Sequence, residues 1–272
     1  MCGKEITLTK AIEDSVDMAQ PIGARGDLIA RQFSQAASVY REHDVLQRIT
    51  AQRLLGRMQA CGRLLDIGCG PGTEFSSSQL EQVLALDIAP GMLKQVSQNF
   101  SHYVPLCADA CALPLSDNSI DTLYSNLALQ WCDDLSAVET EFSRVLTRGG
   151  ECHLAIVVQD SLSQLEDLGF RVNQFESADK IISHFDKPCW QLSSQLQKIT
   201  VYFDDFKALL YSIKGVGASF SDSVANVRET ASIKIRGRQD WLALTQQVEL
   251  TRELQGLPLS YQILFIRAKL VR

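Results

Sequence analysis

The chain is 272 residues long with a formal net charge of −6; 46% of its residues are hydrophobic and 21% charged, enough apolar material for a buried core. That acidity argues against nucleic acid as the main partner, and no apolar run approaches the roughly 20 residues that a membrane span needs. The eight cysteines and four histidines are scattered rather than set in close pairs, so no metal site is expected, and the cysteines read as reduced thiols of a cytoplasmic protein.

In chain order, residues 1–27 mix both charges with Pro21 and glycines and lack the apolar stretch of a secretory signal. They are expected to form a flexible leader ahead of a single domain over 28–272. Two helices follow, about 28–40 and 44–59, the second with Val45, Leu46, Ile49, Leu54, Leu55 and Met58 at helical spacing. "RLLDIG" is a short apolar run closed by an acid and a glycine, the form of a buried parallel strand, and "QVLALDI" repeats it. "PGMLKQVSQNF" reads as a helix with Pro90 in its first turn. "YVPLCADA" and "SIDTLYSNLAL" are two more strands, followed by helix "DLSAVETEFSRVL", ended by Gly149 and Gly150, and strand "ECHLAIVV". Beyond 159 a polar helical region is expected to about 184. Strand "QKITVYF", helix "DDFKALLYSI", a turn in "KGVGA", helix "QDWLALTQQVELTREL" and a last strand "LSYQILFIRAKL" complete the chain. Strands alternating with helices predict an α/β fold: a mainly parallel sheet, helices on both faces and right-handed crossovers.

"LLDIGCGPGT" is the most informative stretch. Gly68, Gly70 and Gly72 permit a sharp strand-to-helix turn and let a ligand approach backbone N–H groups. A dinucleotide fingerprint would need its third glycine one place later, at Thr73. Asp66, just before the turn, is also foreign to that fingerprint and can accept hydrogen bonds from a ligand's ammonium group. Asp87 ends the next strand about 20 residues on, where sheets of this design hold ribose hydroxyls.

This arrangement resembles the Rossmann-like (class I) S-adenosylmethionine-dependent methyltransferases, whose first motif reads D-x-G-C-G-x-G. The resemblance implies S-adenosyl-L-methionine as cofactor, with Asp66, Gly68, Cys69, Gly70 and Gly72 at its amino-acid end. It further implies Asp87 on the ribose, Ile88 and Met92 beside the adenine, Asp109 and Ala110 on the adenine, and Asn126 and Leu127 next to the sulfonium. Three flanking segments resemble the malonyl-acyl-carrier-protein O-methyltransferases of biotin synthesis more narrowly. They are an F-x-x-A-x-x-Y segment (Phe33, Ala36 or Ala37, Tyr40), an N-L-A-x-Q-W-C segment (Asn126, Leu127, Ala128, Gln130, Trp131, Cys132) and a K-G-x-G-A turn (Lys214, Gly215, Gly217, Ala218).

That resemblance implies N-terminal lid helices over 28–60, a cofactor-binding core over 61–158, and a substrate and lid region with a helical insertion over 159–272. The implied reaction moves a methyl group to the free carboxylate of a malonyl thioester on an acyl carrier protein. A carboxylate is already ionised at neutral pH, so no general base is expected. Candidate carboxylate binders are Arg144, with its bidentate fork, Tyr40, with a hydroxyl on the lid, and Lys214, beside the glycine turn. Each has a plainer alternative: an ion pair near a helix end, a packing tyrosine and a solvated lysine. An acidic carrier needs a local basic surface, for which Arg228, Lys234, Arg236 and Arg238 are candidates. The expected protein is a monomer without nucleic acid, membrane or metal. Two other readings stay open: a methyltransferase of another small metabolite such as a quinone precursor, and a cofactor-binding protein without turnover.

Overall fold

The computed structural model describes residues 24–170, 172–216 and 237–271. Seven strands form one sheet: β1 (Gly62–Ile67), β2 (Leu80–Asp87), β3 (Val104–Cys107), β4 (Ile120–Asn126), β5 (Leu146–Val158), β6 (Trp190–Phe203) and β7 (Leu257–Leu270). Their order is β3-β2-β1-β4-β5-β7-β6. The first five run parallel, while β7 is antiparallel to β5 and β6 antiparallel to β7. The expected α/β architecture is therefore present, with an antiparallel pair closing one side.

Each parallel strand is apolar on both faces because both are covered. Leu65 and Ile67 of β1 pack in one layer with Phe142 and Phe185, while Leu64 faces the other with Leu46 and Val96. The first layer comes from helices α5 (Leu135–Val145) and α7 (Ala178–Phe185), and the second from α3 (Val45–Leu55) and α4 (Pro90–Asn99). Helices α8 (Phe206–Gly215) and α9 (Arg238–Glu249) pack with the short α6 (Ser163–Asp167) on Leu257 and Leu259 of β7. Strand order reverses beside β1, so a crevice opens beyond the carboxyl ends of β1, β2 and β4, where open α/β sheets bind ligands. Among the described residues no helix is long and apolar enough to cross a membrane.

Several boundaries differ from the sequence reading. The N-terminal segment is three helices, α1 (Ala24–Ala36), α2 (Tyr40–His43) and α3: a turn at 37–39 interrupts the expected first helix, and Asp44, at φ −85°, ψ 29°, separates α2 from α3. Helix α1 begins at Ala24, inside the stretch assigned to the leader. Gly149 and Gly150 do not end α5, which stops at Val145. They lie within β5 and absorb a register shift, Ile120 facing Leu146 and Thr122 facing Glu151, with Gly149 at φ +84°. The polar helical region to 184 reduces to α6 and α7. Strand β6 starts at Trp190, seven residues before the expected "QKITVYF", because the indole N–H of Trp190 donates to buried Glu139 (2.7 Å) and Lys187 pairs with the same carboxylate.

Candidate active site

The glycine loop leaves β1 through three positive-φ residues, Gly68 (+64°), Gly70 (+53°) and Gly72 (+93°). A Cβ on Gly68 would collide with the Cβ of Ala128, so this position needs glycine for space as well as for backbone geometry. The Gly70 N–H donates to Oδ2 of Asp87 (2.9 Å) and the Ala89 N–H to Oδ1 (2.8 Å). The acid at the end of β2 thus fastens the glycine loop to the neighbouring strand. Burial raises Asp87 to about 6, against the pull of those backbone hydrogen bonds.

A cavity of ≈ 190 Å³ opens over this loop. Gly68, Gly70, Asp87 and Ile88 line it, as do Asp109, Ala110, Asn126 and Leu127. Asp66, Cys69, Gly72 and Met92 stand behind that wall. Cys69 faces the core beside β1, and a Cβ on Gly72 would lie 2.7 Å from the ring of Phe100. Met92 is fully buried with Ala37 and Ala89 under Phe33 and Tyr40, where it supports the lid rather than the ligand. Asp66 is 1% exposed, and its Oδ2 has no hydrogen-bond partner. Burial, with the charge of Asp87 added, pushes its carboxyl well above the ordinary range, opposed by a backbone hydrogen bond from Thr73. An orphaned acid at the base of a glycine loop suits a cationic ligand group, and an acid at the next strand end suits a diol. The residues present therefore fit the amino-acid and ribose ends of S-adenosylmethionine.

The N-terminal helices close one side. Gly26, Ile29 and Phe33 of α1 line the cavity, Phe33 meets Trp131 edge-on at 5.7 Å, and Arg25 pairs with Asp133. Ser34 accommodates the start of α4 so closely that a Cβ on Gly91 would be 2.8 Å from its backbone. Tyr40 lies over the loop, its hydroxyl oxygen 3.9 Å from where a Cβ of Gly70 would stand. Burial first, then the charges of Asp87 and Asp44, raise its hydroxyl far above the usual range, so it keeps its proton and has an O–H to donate. A hydrogen bond links it to Gln47, whose carbonyl oxygen accepts from Nδ2 of Asn126 (2.9 Å), tying the lid to the end of β4.

A second, smaller cavity of ≈ 60 Å³ adjoins the first. Phe33, Tyr40, Leu127 and Trp131 line both. Further wall residues include His43 of α2, Ser212 and Ile213 of α8, Val201 and Phe203 of β6 and Tyr261 of β7, with Phe175 from the loop before α7. None of these wall residues beyond α2 was singled out in the sequence. The available signal was the alternation of Tyr261, Ile263 and Phe265 on one face of β7.

The other two carboxylate candidates are placed apart. Arg144 is committed elsewhere: its Nε and one terminal nitrogen fork onto Glu141 (2.8 and 2.7 Å), and the other donates to Asp117 (2.8 Å) and to the Leu115 carbonyl oxygen (2.6 Å). It lines neither cavity and clamps the 113–117 loop onto α5, so the plainer alternative holds for it. Lys214 is exposed in the last turn of α8 and also lines neither cavity. Its neighbour Gly215 carries the contact: a Cβ there would collide with the ring of His43. The helix that begins at Tyr40 is therefore in contact with the third flanking segment through His43 and Gly215. Gly217, Ala218, Arg228, Lys234 and Arg236 lie outside the described residues; Arg238 is exposed at the start of α9.

A family model described as a methyltransferase domain matches residues 65–154. A malonyl-[acyl-carrier protein] O-methyltransferase of Alcanivorax borkumensis is 31% identical over 97% of this chain and 92% of its own length. One of a Marinomonas species is 32% identical over 89% and 93%. Among solved structures, a Haemonchus contortus phosphoethanolamine N-methyltransferase 2 with S-adenosylhomocysteine superposes with a TM-score of 0.56 at 17% identity, covering 92% of this chain and 61% of that one, a likeness of fold.

Proposed function

From the premise that this chain belongs to the malonyl-[acyl-carrier protein] O-methyltransferase family, we propose that it methylates the free carboxylate of a malonyl group carried on an acyl carrier protein. Its cofactor is S-adenosyl-L-methionine, which when bound supplies a methyl group on an electrophilic sulfonium. The Gly68–Gly70 turn would hold the amino-acid end, with the Asp66 carboxyl behind it. Asp87 would hold the ribose, Ile88, Asp109 and Ala110 the adenine, and Asn126 and Leu127 the sulfonium side. Cys69, Gly72 and Met92 would shape this site from behind the wall.

The observation that supports the acceptor side is a second cavity that shares Phe33, Tyr40, Leu127 and Trp131 with the first. The chain contributes alignment and dryness rather than proton transfer. A carboxylate titrates near pH 4, so the nucleophile arrives ionised. Apolar walls strip its water, and the junction between the cavities restricts its approach to one direction, the two effects expected of a reaction without a base. Tyr40 donates to the acceptor at that junction while its ring covers the glycine loop. Lys214, outside the chamber, suits the phosphate or surface of the carrier rather than the carboxylate.

The ester product masks the malonyl charge so that fatty-acid synthesis can extend it as a primer for the pimeloyl chain of biotin. On this reading the enzyme acts in the cytoplasm as a monomer, with the carrier as its protein partner. The test is incubation with isotopically labelled S-adenosylmethionine and malonyl-carrier protein, followed by mass analysis of the carrier. A gain of one methylene, lost on mild ester hydrolysis, is expected. Transfer to a quinone precursor instead, or binding without transfer to either acceptor, would overturn the proposal.

A further inference from the structure

The acceptor chamber poses a problem of charge. A malonyl group brings an anion into a space walled by Val157, Leu162, Phe175, Val201, Phe203 and Ile213. An anion in such surroundings is strongly disfavoured unless hydrogen-bond donors receive it. Yet no Lys or Arg among the described residues lines the chamber.

Three polar side chains of its wall are already engaged. Ser212 donates its hydroxyl to the Leu209 carbonyl oxygen (2.7 Å), and Gln130 donates Nε2 to that of Leu127 (2.7 Å). Gln47 is bonded to Tyr40; His43, whose ring lies 6.4 Å from that of Tyr211 between centroids, and Asn173, on the loop before α7, are the other polar wall residues off the sheet. Tyr261 differs in standing on the sheet itself. Burial alone raises its hydroxyl far above the usual range; no charge or hydrogen bond from another described residue acts on it. Its backbone is paired with Ile199 of β6, and the next residue, Gln262, pairs with Val158 of β5, so the ring stands on a strand held from both sides.

We propose that Tyr261 recognises the acceptor carboxylate, donating its hydroxyl to the oxygen that does not attack the methyl group. The inference rests on the malonyl reading above and adds the group that selects for it. Two tyrosines then divide the work. Tyr40 borders both cavities and aligns the attacking oxygen, whereas Tyr261 borders only the acceptor chamber and holds the far oxygen. A neutral donor suits the chemistry. It satisfies the anion without the full neutralisation a guanidinium would impose, and it leaves lone-pair density on the attacking oxygen.

Tyr261→Phe removes one oxygen and keeps the ring. The protein, saturated with S-adenosylhomocysteine, is titrated by calorimetry with malonyl-N-acetylcysteamine and with acetyl-N-acetylcysteamine, which differ by the carboxylate. The variant should bind the malonyl compound roughly ten- to a hundredfold more weakly, the range for a hydrogen bond to a charged group. The acetyl compound and S-adenosylhomocysteine should bind as before, and the melting temperature should hold. Tyr261→His, which returns a ring N–H donor, should recover part of the malonyl preference. Equal losses for both thioesters, no loss for either, or a wild-type protein without preference for malonyl would each overturn the inference. A wild-type protein that prefers malonyl but methylates no malonyl thioester would instead overturn the proposed function, and the Tyr261 comparison would still be read.

Discussion

The two cavities are built by opposite means. The floor of the cofactor cavity is cut from consecutive strand ends, with Gly68 and Gly70 after β1, Asp87 at the end of β2 and Asn126 at the end of β4. The second cavity, the proposed acceptor chamber, draws on α2, α3, α8, β5, β6 and β7, several of them far apart in the chain and brought together by tertiary packing. The contrast teaches that a site made at strand ends inherits its geometry from the sheet. A site made between distant segments depends on each contact that joins them, such as His43 against Gly215.

The largest separation between the two should come from Gly68→Ala. A left-handed alanine costs about 1–2 kcal/mol and the collision with Ala128 about as much again. Fluorescence titration should find cofactor affinity lower by about a hundredfold or more; an unchanged Kd would mean that the loop is not seated on Ala128. Tyr40→Phe probes the junction. Loss of one donor to an anion should lower kcat by roughly ten- to a hundredfold, with a much smaller change in S-adenosylmethionine affinity. Full activity would return Tyr40 to plain packing. Gly215→Ala should strike the acceptor side alone, raising KM for the malonyl carrier by about three- to tenfold, an effect of order 1 kcal/mol. The double variant His43→Ala/Gly215→Ala should regain much of that loss; if it does not, the contact between α2 and α8 is not what shapes the chamber.

The smallest effect is one of pH. Asp87 is raised to about 6 by burial. As pH falls through that value it takes up a proton and loses its charge, so its hold on a ribose diol weakens. Asp66, pushed well above the ordinary range by burial and by Asp87, does not set this midpoint. Cofactor affinity should therefore be flat at neutral pH and fall below about 6, approaching tenfold per pH unit for a one-proton linkage. Binding of malonyl thioesters to the S-adenosylhomocysteine complex should follow a different curve, because neither acid lines the acceptor chamber.

The same contrast governs what was legible beforehand. Asp87 and the loop glycines were readable because strand, turn and acid are a local pattern, and the parallel sheet followed from strands alternating with helices. Arg144 was misjudged because a cation near a helix end looks alike whether it faces a cavity or a neighbour; Glu141 three residues earlier was the cue to an ion pair. The pairing of Arg25 with Asp133 joins residues more than a hundred positions apart, and no local pattern announces it. Tyr261 sat within a correctly expected strand, but its part in the chamber depends on how β7 lies between β5 and β6. The early start of β6 was hidden because the first half of an edge strand is largely exposed and polar, anchored by Trp190 on Glu139.

Phe33, Tyr40, Leu127 and Trp131 belong to both cavities, so they are where any thermodynamic link between the two would pass. Whatever factor S-adenosylhomocysteine contributes to acceptor affinity by ordering these four side chains, the acceptor must return to S-adenosylhomocysteine unchanged.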